Sequence, residues 1–280
     1  MTDLPEQTER VATGPDGFPS GPVPSGAPVP SGPATLASPP DCAREIFGAE
    51  QLRLAVRYAG LLASEGLLRG LIGPREVPRL WERHLLNCAV LGELVPDGAT
   101  VLDVGSGAGL PGLVLAVARP DLNVILVEPL ARRTVFLVEA VSVLGLTDRV
   151  RVLRGRAEEL RRDFPDGAAP VVTARAVAPL DRLAGWCLPL VEPGGRLLAM
   201  KGDSAGAEIT EHRSAVVRSG GGDPVLRRCG ERWLDPPTTV VEIERSAPVP
   251  GAGGRRRSGR GDRVRPRSSR RTRGRPPNPP

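Results

Sequence analysis

The chain has 280 residues, 40% of them hydrophobic, with 34 Gly, 31 Pro and a formal net charge of +6. Its cysteines, Cys42, Cys88, Cys187 and Cys229, are far apart and form no CxxC pair or Cys/His cluster, which speaks against a zinc site or a disulfide framework. No apolar run reaches membrane-spanning length and no basic stretch leads into an apolar core at the N-terminus, so a soluble, cytoplasmic protein without membrane or metal partners is expected.

The Gly and Pro content is uneven. Residues 11–40 are almost entirely Pro, Gly, Ser and Ala, a composition that cannot bury enough apolar surface to offset ordering entropy, so residues 1–40 are expected to be a disordered tail. From Ser246 onward there are eleven Arg against one Asp, a net +10, which leaves −4 for the rest. The basicity therefore lies in a second expected disordered tail, 246–280. It reads equally as a nucleic-acid arm or as an end without function. Between the tails lie about 200 residues, enough for one domain with a sizeable core. They divide into a helical N-terminal extension, 41–98, and an α/β domain, 99–245.

In chain order, Leu52, Val56, Ala59, Leu62 and Ala63 fall at helical spacing within 43–70. Leu80, His84, Leu85, Val90, Leu91 and Leu94 do the same within 77–95, so two or three amphipathic helices are predicted there. After Gly98, β-rich runs at 100–104, 123–127, 150–153, 170–174, 195–200, 224–228 and 238–243 alternate with helical segments such as 131–144. Alternating strand and helix predicts a Rossmann-like α/β fold: a seven-stranded, mostly parallel sheet covered on both faces. The last two runs leave no room for a helix between them and read as an antiparallel pair at the sheet edge.

The first strand, TVLDV, runs into GSGAGLPG and then an apolar helix. In open α/β sheets, ligands sit beyond the carboxyl ends of the strands. Gly105, Gly107 and Gly109 let the chain turn sharply and present backbone to a ligand, and Gly112 permits close helix–strand packing. The helix N-terminus is expected to offer free N–H groups to an anion. Glu128 ends the second strand, where a carboxylate can accept both hydroxyls of a ribose. Residues 107–112 match GxGxxG, which suggests NAD. Asp103 argues against it, because a carboxylate beside a pyrophosphate is repulsive. A ligand end that is cationic, as in S-adenosylmethionine, fits better. The alternative reading of Asp103 is a turn residue that caps the helix.

Six stretches carry a family resemblance: ERHLLNCAV at 82–90, VLDVGSGAGLPG at 101–112, VEPLARRTVFL at 127–137, GRAEEL at 155–160, VVTARAVAPL at 171–180 and LLAMKG at 197–202. In order and spacing they resemble the RsmG (GidB) family of ribosomal small-subunit RNA methyltransferases over about 43–245. The resemblance implies a monomeric, S-adenosylmethionine-dependent enzyme that methylates N7 of a guanine in 16S ribosomal RNA, at position 527 in the 530 loop. It implies cofactor contacts from Gly105 and Leu110, an adenine edge formed by Ala157 and Glu158, and a contact from Arg175. Where the family has an Asp-Ser pair after its histidine, this chain has Asn87 and Cys88. Both tails lie outside the resemblance.

Guanine N7 carries a free lone pair, so its attack needs no general base, only alignment of nucleophile, methyl and leaving sulfur. The sequence has no D/N-PP-aromatic motif after the fourth strand, and its DPPT at 235–238 lacks the aromatic and precedes the last strand. Cys187, in WCLP, has no Pro-Cys context for C5 methylation. Arg175 and Lys201 end strands where ligands bind and are candidates to touch cofactor, phosphate or guanine O6, or to form surface salt bridges. His84, on an apolar helix face, reads either as a core histidine or as a site-lining one. Arg132 and Arg133 read as a solvated or phosphate-facing pair. Trp81, Trp186 and Trp233 are too scattered for a base-stacking platform. An NAD-dependent oxidoreductase is the first rival, but its Tyr-x-x-x-Lys is lacking; the one tyrosine, Tyr58, lies outside the sheet region. A non-catalytic RNA-binding protein on the same fold is the second.

Overall fold

The computed structural model describes residues 35–164 and 166–246. The expected tails fall largely outside them. Within 35–40, which was expected to be disordered, the chain is fixed to the fold: Trp81 Nε1 donates to the Ala37 carbonyl at 3.0 Å.

Seven strands form one sheet: β1 (Thr100–Val104), β2 (Asn123–Glu128), β3 (Val150–Arg154), β4 (Ala169–Arg175), β5 (Val191–Lys201), β6 (Val225–Cys229) and β7 (Thr238–Glu244), in the order β3-β2-β1-β4-β5-β7-β6. The pairs β1–β2, β1–β4, β2–β3 and β4–β5 are parallel, whereas β7 runs antiparallel to both β5 and β6. The expected edge pair is therefore present, with β6 outermost. The chain reverses its winding at β1, between β2 and β4, and this switch point is where α/β sheets open a crevice.

Strand parity assigns the faces. Leu102, Val104, Val127, Val172, Ala174, Leu197 and Ala199 share one buried core with α7 (Leu180–Cys187) and α8 (Ala205–Arg218). Asp103 and Leu126 point to the other face, against Gly112 at the start of α4 (Gly112–Ala118). The crossover helix α5 (Ala131–Val143) follows β2, and the short α6 (Ala157–Leu160) follows β3.

The N-terminal region is mostly helical, with a non-helical connection at 69–73. It runs from α1 (Cys42–Phe47) through α2 (Ala49–Leu61) and a π turn at Leu62–Gly66. A 3₁₀ turn at Pro74–Arg79, a π turn at Leu80–Leu85, α3 (Leu86–Ala89) and a 3₁₀ turn at Val90–Leu94 follow. The buried stripe of α2 is Ala55, Tyr58 and Ala59, continued by Leu62 in the π turn, while Val56 is 42% exposed. The seam is thus rotated from the expected one, because the large Tyr58 side chain takes the inward position. Among the described residues, no helix is long and apolar enough to cross a membrane.

Candidate functional site

The glycine turn is tied down from every side. Gly105 and Ser106 donate backbone N–H groups to the Val127 carbonyl at 2.9 and 3.0 Å, and Gly109 and Leu110 donate to the Ser106 carbonyl at 2.6 and 3.0 Å. Gly107 N–H donates to Glu128 Oε2 at 2.9 Å and Gly112 N–H to Asp103 Oδ2 at 3.1 Å. Among the donors of this turn and the helix start, the N–H groups of Gly105, Ser106, Gly107, Gly109, Leu110 and Gly112 are engaged inside the protein rather than free for an anion.

Asp103 is engaged in the same way. It is fully buried, and its second oxygen, Oδ1, accepts from Thr173 Oγ1 at 3.0 Å. The two residues are register partners on β1 and β4. Ser106 Oγ donates to the Asp103 main-chain carbonyl at 2.9 Å. Burial pushes this carboxyl from 3.8 up to about 6, against the bonds from Gly112 and Thr173 that favour its charge. Asp103 thus caps the helix start and organises the turn. Both of its carboxylate oxygens are engaged inside the protein.

Glu128 is 2% exposed. Besides Gly107 it accepts the Leu130 N–H at 2.9 Å, and Arg133 stands 3.9 Å away. Each carboxylate oxygen keeps a second lone pair, so a ribose can share or displace the Gly107 bond. Tyr58, which the sequence placed away from the sheet, donates its hydroxyl to the Ala108 carbonyl inside the turn. Burial holds that phenol well above its ordinary value.

Two cavities open beyond the strand ends. A slot of about 210 Å³ lies between Gly105, Val127, Pro129, Ala157, Glu158 and Trp186. A wider cleft of about 730 Å³ is lined by Arg83, Asn87, Arg175, Met200, Lys201 and the Pro236–Thr238 loop, among others. Val177 belongs to both walls, so the cavities adjoin. Of the expected cofactor residues, Gly105, Ala157 and Glu158 face the slot and Arg175 the cleft. Asp103, Gly107, Leu110 and Glu128 line neither cavity.

Arg175 is held by the N-terminal region. It donates to Cys88 Sγ at 3.1 Å, to the Arg83 carbonyl at 3.0 Å and to His84 Nδ1 at 2.7 Å. His84 sits behind it and pairs its Nε2 with Glu76 Oε2 at 2.7 Å. Burial, then the Arg175 charge, hold the imidazole below its ordinary value despite Glu76. Burial likewise raises the Cys88 thiol, against the Arg175 charge and hydrogen bond. Asn87 lines the cleft with one bond on each amide atom: Nδ2 donates to the Arg83 carbonyl at 3.2 Å and Oδ1 accepts from Thr238 Oγ1 at 3.1 Å. Lys201 lines the cleft too, but its ammonium is bound to Glu208 at 2.7 Å and to the Ala178 carbonyl at 2.8 Å. It pins the 176–180 connection rather than reaching out. Although burial alone would raise it, the Lys201 partner keeps Glu208 below the usual carboxylate value. Among the described residues, no cluster of three or more His, Cys, Asp or Glu could hold a metal ion.

The family model for rRNA small subunit methyltransferase G matches residues 51–232. A ribosomal RNA small subunit methyltransferase G from Salinispora arenicola is 61% identical over 240 residues, covering 82% of this chain and 98% of that one. The protein of the same name from Thermobifida fusca is 60% identical over 205 residues, covering 73% of this chain and 84% of that one. The chain belongs to the rRNA small subunit methyltransferase G family. Among solved structures, it is similar to an O-methyltransferase family protein from Burkholderia thailandensis at 18% identity and a TM-score of 0.46, over 72% of this chain and 67% of that one.

Within this methyltransferase, sequence reasoning missed Tyr58, Glu76, Thr173, Trp186 and the Pro236–Thr238 loop. Trp186 was set aside as scattered, yet it walls the slot, with the Arg182 guanidinium 4.8 Å from its ring centre. The DPPT stretch was discounted because it precedes the last strand, yet the β6–β7 connection carries it to the cleft. The signal available for Thr173 was its place in the strand beside Asp103. Nothing in sequence spacing pointed to Glu76.

Proposed function

We propose that this chain is a cytoplasmic, monomeric enzyme that transfers a methyl group from S-adenosylmethionine to N7 of a guanine in 16S ribosomal RNA, in the 530 loop, acting on RNA of the small subunit. The observation that carries this reading is the junction at Val177 of a narrow, largely apolar slot and a wide cleft that bears arginines. The slot suits the cofactor's nucleoside. Its wall is kept clear by glycine: a Cβ on Gly105 would stand 3.0 Å from Val177. In this reading Ala157, Glu158 and Trp186 hold the adenine, and Glu128 takes the ribose hydroxyls in exchange for Gly107. The Asp103 charge, behind the turn, favours a cationic amino-acid end. When bound, S-adenosylmethionine supplies an electrophilic methyl on a sulfonium.

The chain's own task is alignment. Near the cleft, His84, Cys88, Lys201 and Glu208 are all engaged with protein partners, which leaves the exposed Asp203 of the lining as the carboxylate able to remove a proton. Attack by guanine N7 requires no such removal. Holding two reactants in line can supply about 7–11 kcal/mol of the barrier, and Arg83 and Arg175 are placed to position a phosphate or guanine O6. Calorimetric titration of the full chain tests the cofactor: S-adenosylmethionine binds and NAD does not. Binding of NAD with no heat from S-adenosylmethionine would overturn the reading.

A further inference from the structure

Arg175 leaves β4 just before Ala176, a non-glycine residue at φ +54, a backbone state that surrounding structure must hold in place. The guanidinium does not reach freely into the cleft it lines. Its bonds all run to one segment of the N-terminal region, at Arg83, His84 and Cys88. A guanidinium has donors only, so His84 Nδ1 must present its lone pair, and the imidazole proton must sit on Nε2. There it is donated to Glu76 Oε2 at 2.7 Å. Glu76 is itself anchored by Arg83 Nη1 at 2.9 Å. The chain of dependence is therefore ordered: Glu76 fixes the tautomer of His84, and His84 fixes Arg175. A doubly protonated His84 would set N–H against N–H, and cation against cation, at 2.7 Å.

We infer that His84 is a positioning residue for the methyl transfer: its Glu76-fixed tautomer sets the Arg175 guanidinium at the cleft wall, and protonation of the imidazole releases it. This role rests on the proposed function, because the cleft is where the target guanine docks. The charges that face the imidazole are Glu76, with Arg79 beside it, and Arg83 from its own segment, and Arg175 from β4. Cys88, Tyr58 and Asp103 lie behind Arg175. The methyl transfer should fall on the acid side as His84 gains its second proton. Asp103 titrates at about 6, so the variants below separate the two groups.

Nitrogen-15 NMR of the full chain reads the contact directly, since the protein has two histidines, His84 and His212, and His212→Gln assigns them. The expected spectrum shows neutral His84 with its proton on Nε2. Its pKa rises in Arg175→Ala, which removes a cation, and falls in Glu76→Gln, which removes an anion. Methyl transfer to 16S RNA is then followed against pH. His84→Asn keeps an acceptor where Nδ1 stood but cannot be protonated. It should hold the plateau kcat within about threefold and lose the His84 part of the acid limb, while His84→Ala loses at least about tenfold in kcat because a misplaced group costs rate. Neither variant should change cofactor affinity, as His84 lines neither cavity. A proton on Nδ1, or a His84 pKa indifferent to Arg175→Ala, overturns the inference. So does an acid limb unchanged in His84→Asn. A wild-type chain that methylates no guanine at any pH overturns the proposed function as well, whereas an active wild type with indifferent His84 variants overturns the positioning role alone.

Discussion

Replacing Asp103 by Asn should make the protein more stable at neutral pH and a poorer binder of its cofactor. The carboxyl is fully buried and held at about 6 where 3.8 is ordinary. Its folded-state pKa lies above the unfolded one, so the native chain binds the proton more tightly between those values. Stability therefore falls as pH rises through that window. At ~1.4 kcal/mol per pH unit the whole effect is about 3 kcal/mol, with roughly 2 kcal/mol falling between pH 4.5 and 7.5. Asn has the same shape. Its oxygen can accept the Gly112 N–H and its amide can donate to the Thr173 hydroxyl, at a cost of ~1 kcal/mol for the displaced hydroxyl proton. The expected result is a gain of about 1–2 kcal/mol at pH 7.5 that vanishes or reverses near pH 4.5. Urea denaturation of both proteins at the two pH values gives the difference directly, and the other carboxylates cancel in the comparison. Calorimetry should show weaker S-adenosylmethionine binding by the same variant. A stability difference that is identical at both pH values would refute the account of Asp103 as a charge kept at a cost in stability.

Glu128→Ala removes the acceptor of the Gly107 and Leu130 N–H groups along with the proposed ribose contacts, each worth about 1.5–3 kcal/mol. Cofactor affinity should fall at least tenfold by calorimetry, and unchanged affinity in a folded variant would exclude the ribose role. Gly112→Ala would place its methyl 2.6 Å from Leu126 Cδ2 and 2.7 Å from Asp103. Overpacking of about 1–3 kcal/mol should lower Tm by roughly 2–12 °C, and an unchanged melting curve would show that the helix–strand contact is not tight. Deleting residues 246–280 should leave cofactor binding intact, weaken subunit binding at low salt and flatten its salt dependence, because the tail's arginines release counterions from RNA. The same affinity and salt slope after deletion would make the tail a passive end.

The sheet was legible because parallel strands buried on both faces read as short continuous apolar runs, and all seven fell within a few residues of their expected places. The antiparallel edge was legible from the short β6–β7 connection alone. The helical seam was misjudged at Val56 because periodicity treats Val and Tyr alike as candidates, while packing against the turn selects Tyr58. At the site, the types of Asp103, Glu128 and Arg175 were readable, but not their partners. Which oxygen meets Gly112, Thr173 or Gly107 depends on register between strands far apart in sequence. Lys201 illustrates the same limit: its position at a strand end left a ligand contact and a salt bridge both open, and only the fold brings Glu208 and the Ala178 carbonyl within reach of it. Glu76 and His84 are eight residues apart, yet their relation to Arg175 exists only across the junction between the helical region and β4.

The most direct test of the central claim is to incubate the full chain with isotope-labelled S-adenosylmethionine and small-subunit 16S RNA that lacks the modification, then digest the RNA and map the labelled nucleoside by mass spectrometry. The account predicts label on N7-methylguanosine at a single guanine of the 530 loop, with none on exocyclic amines or cytosine C5. Label on any other atom, or none with cofactor demonstrably bound, would contradict it.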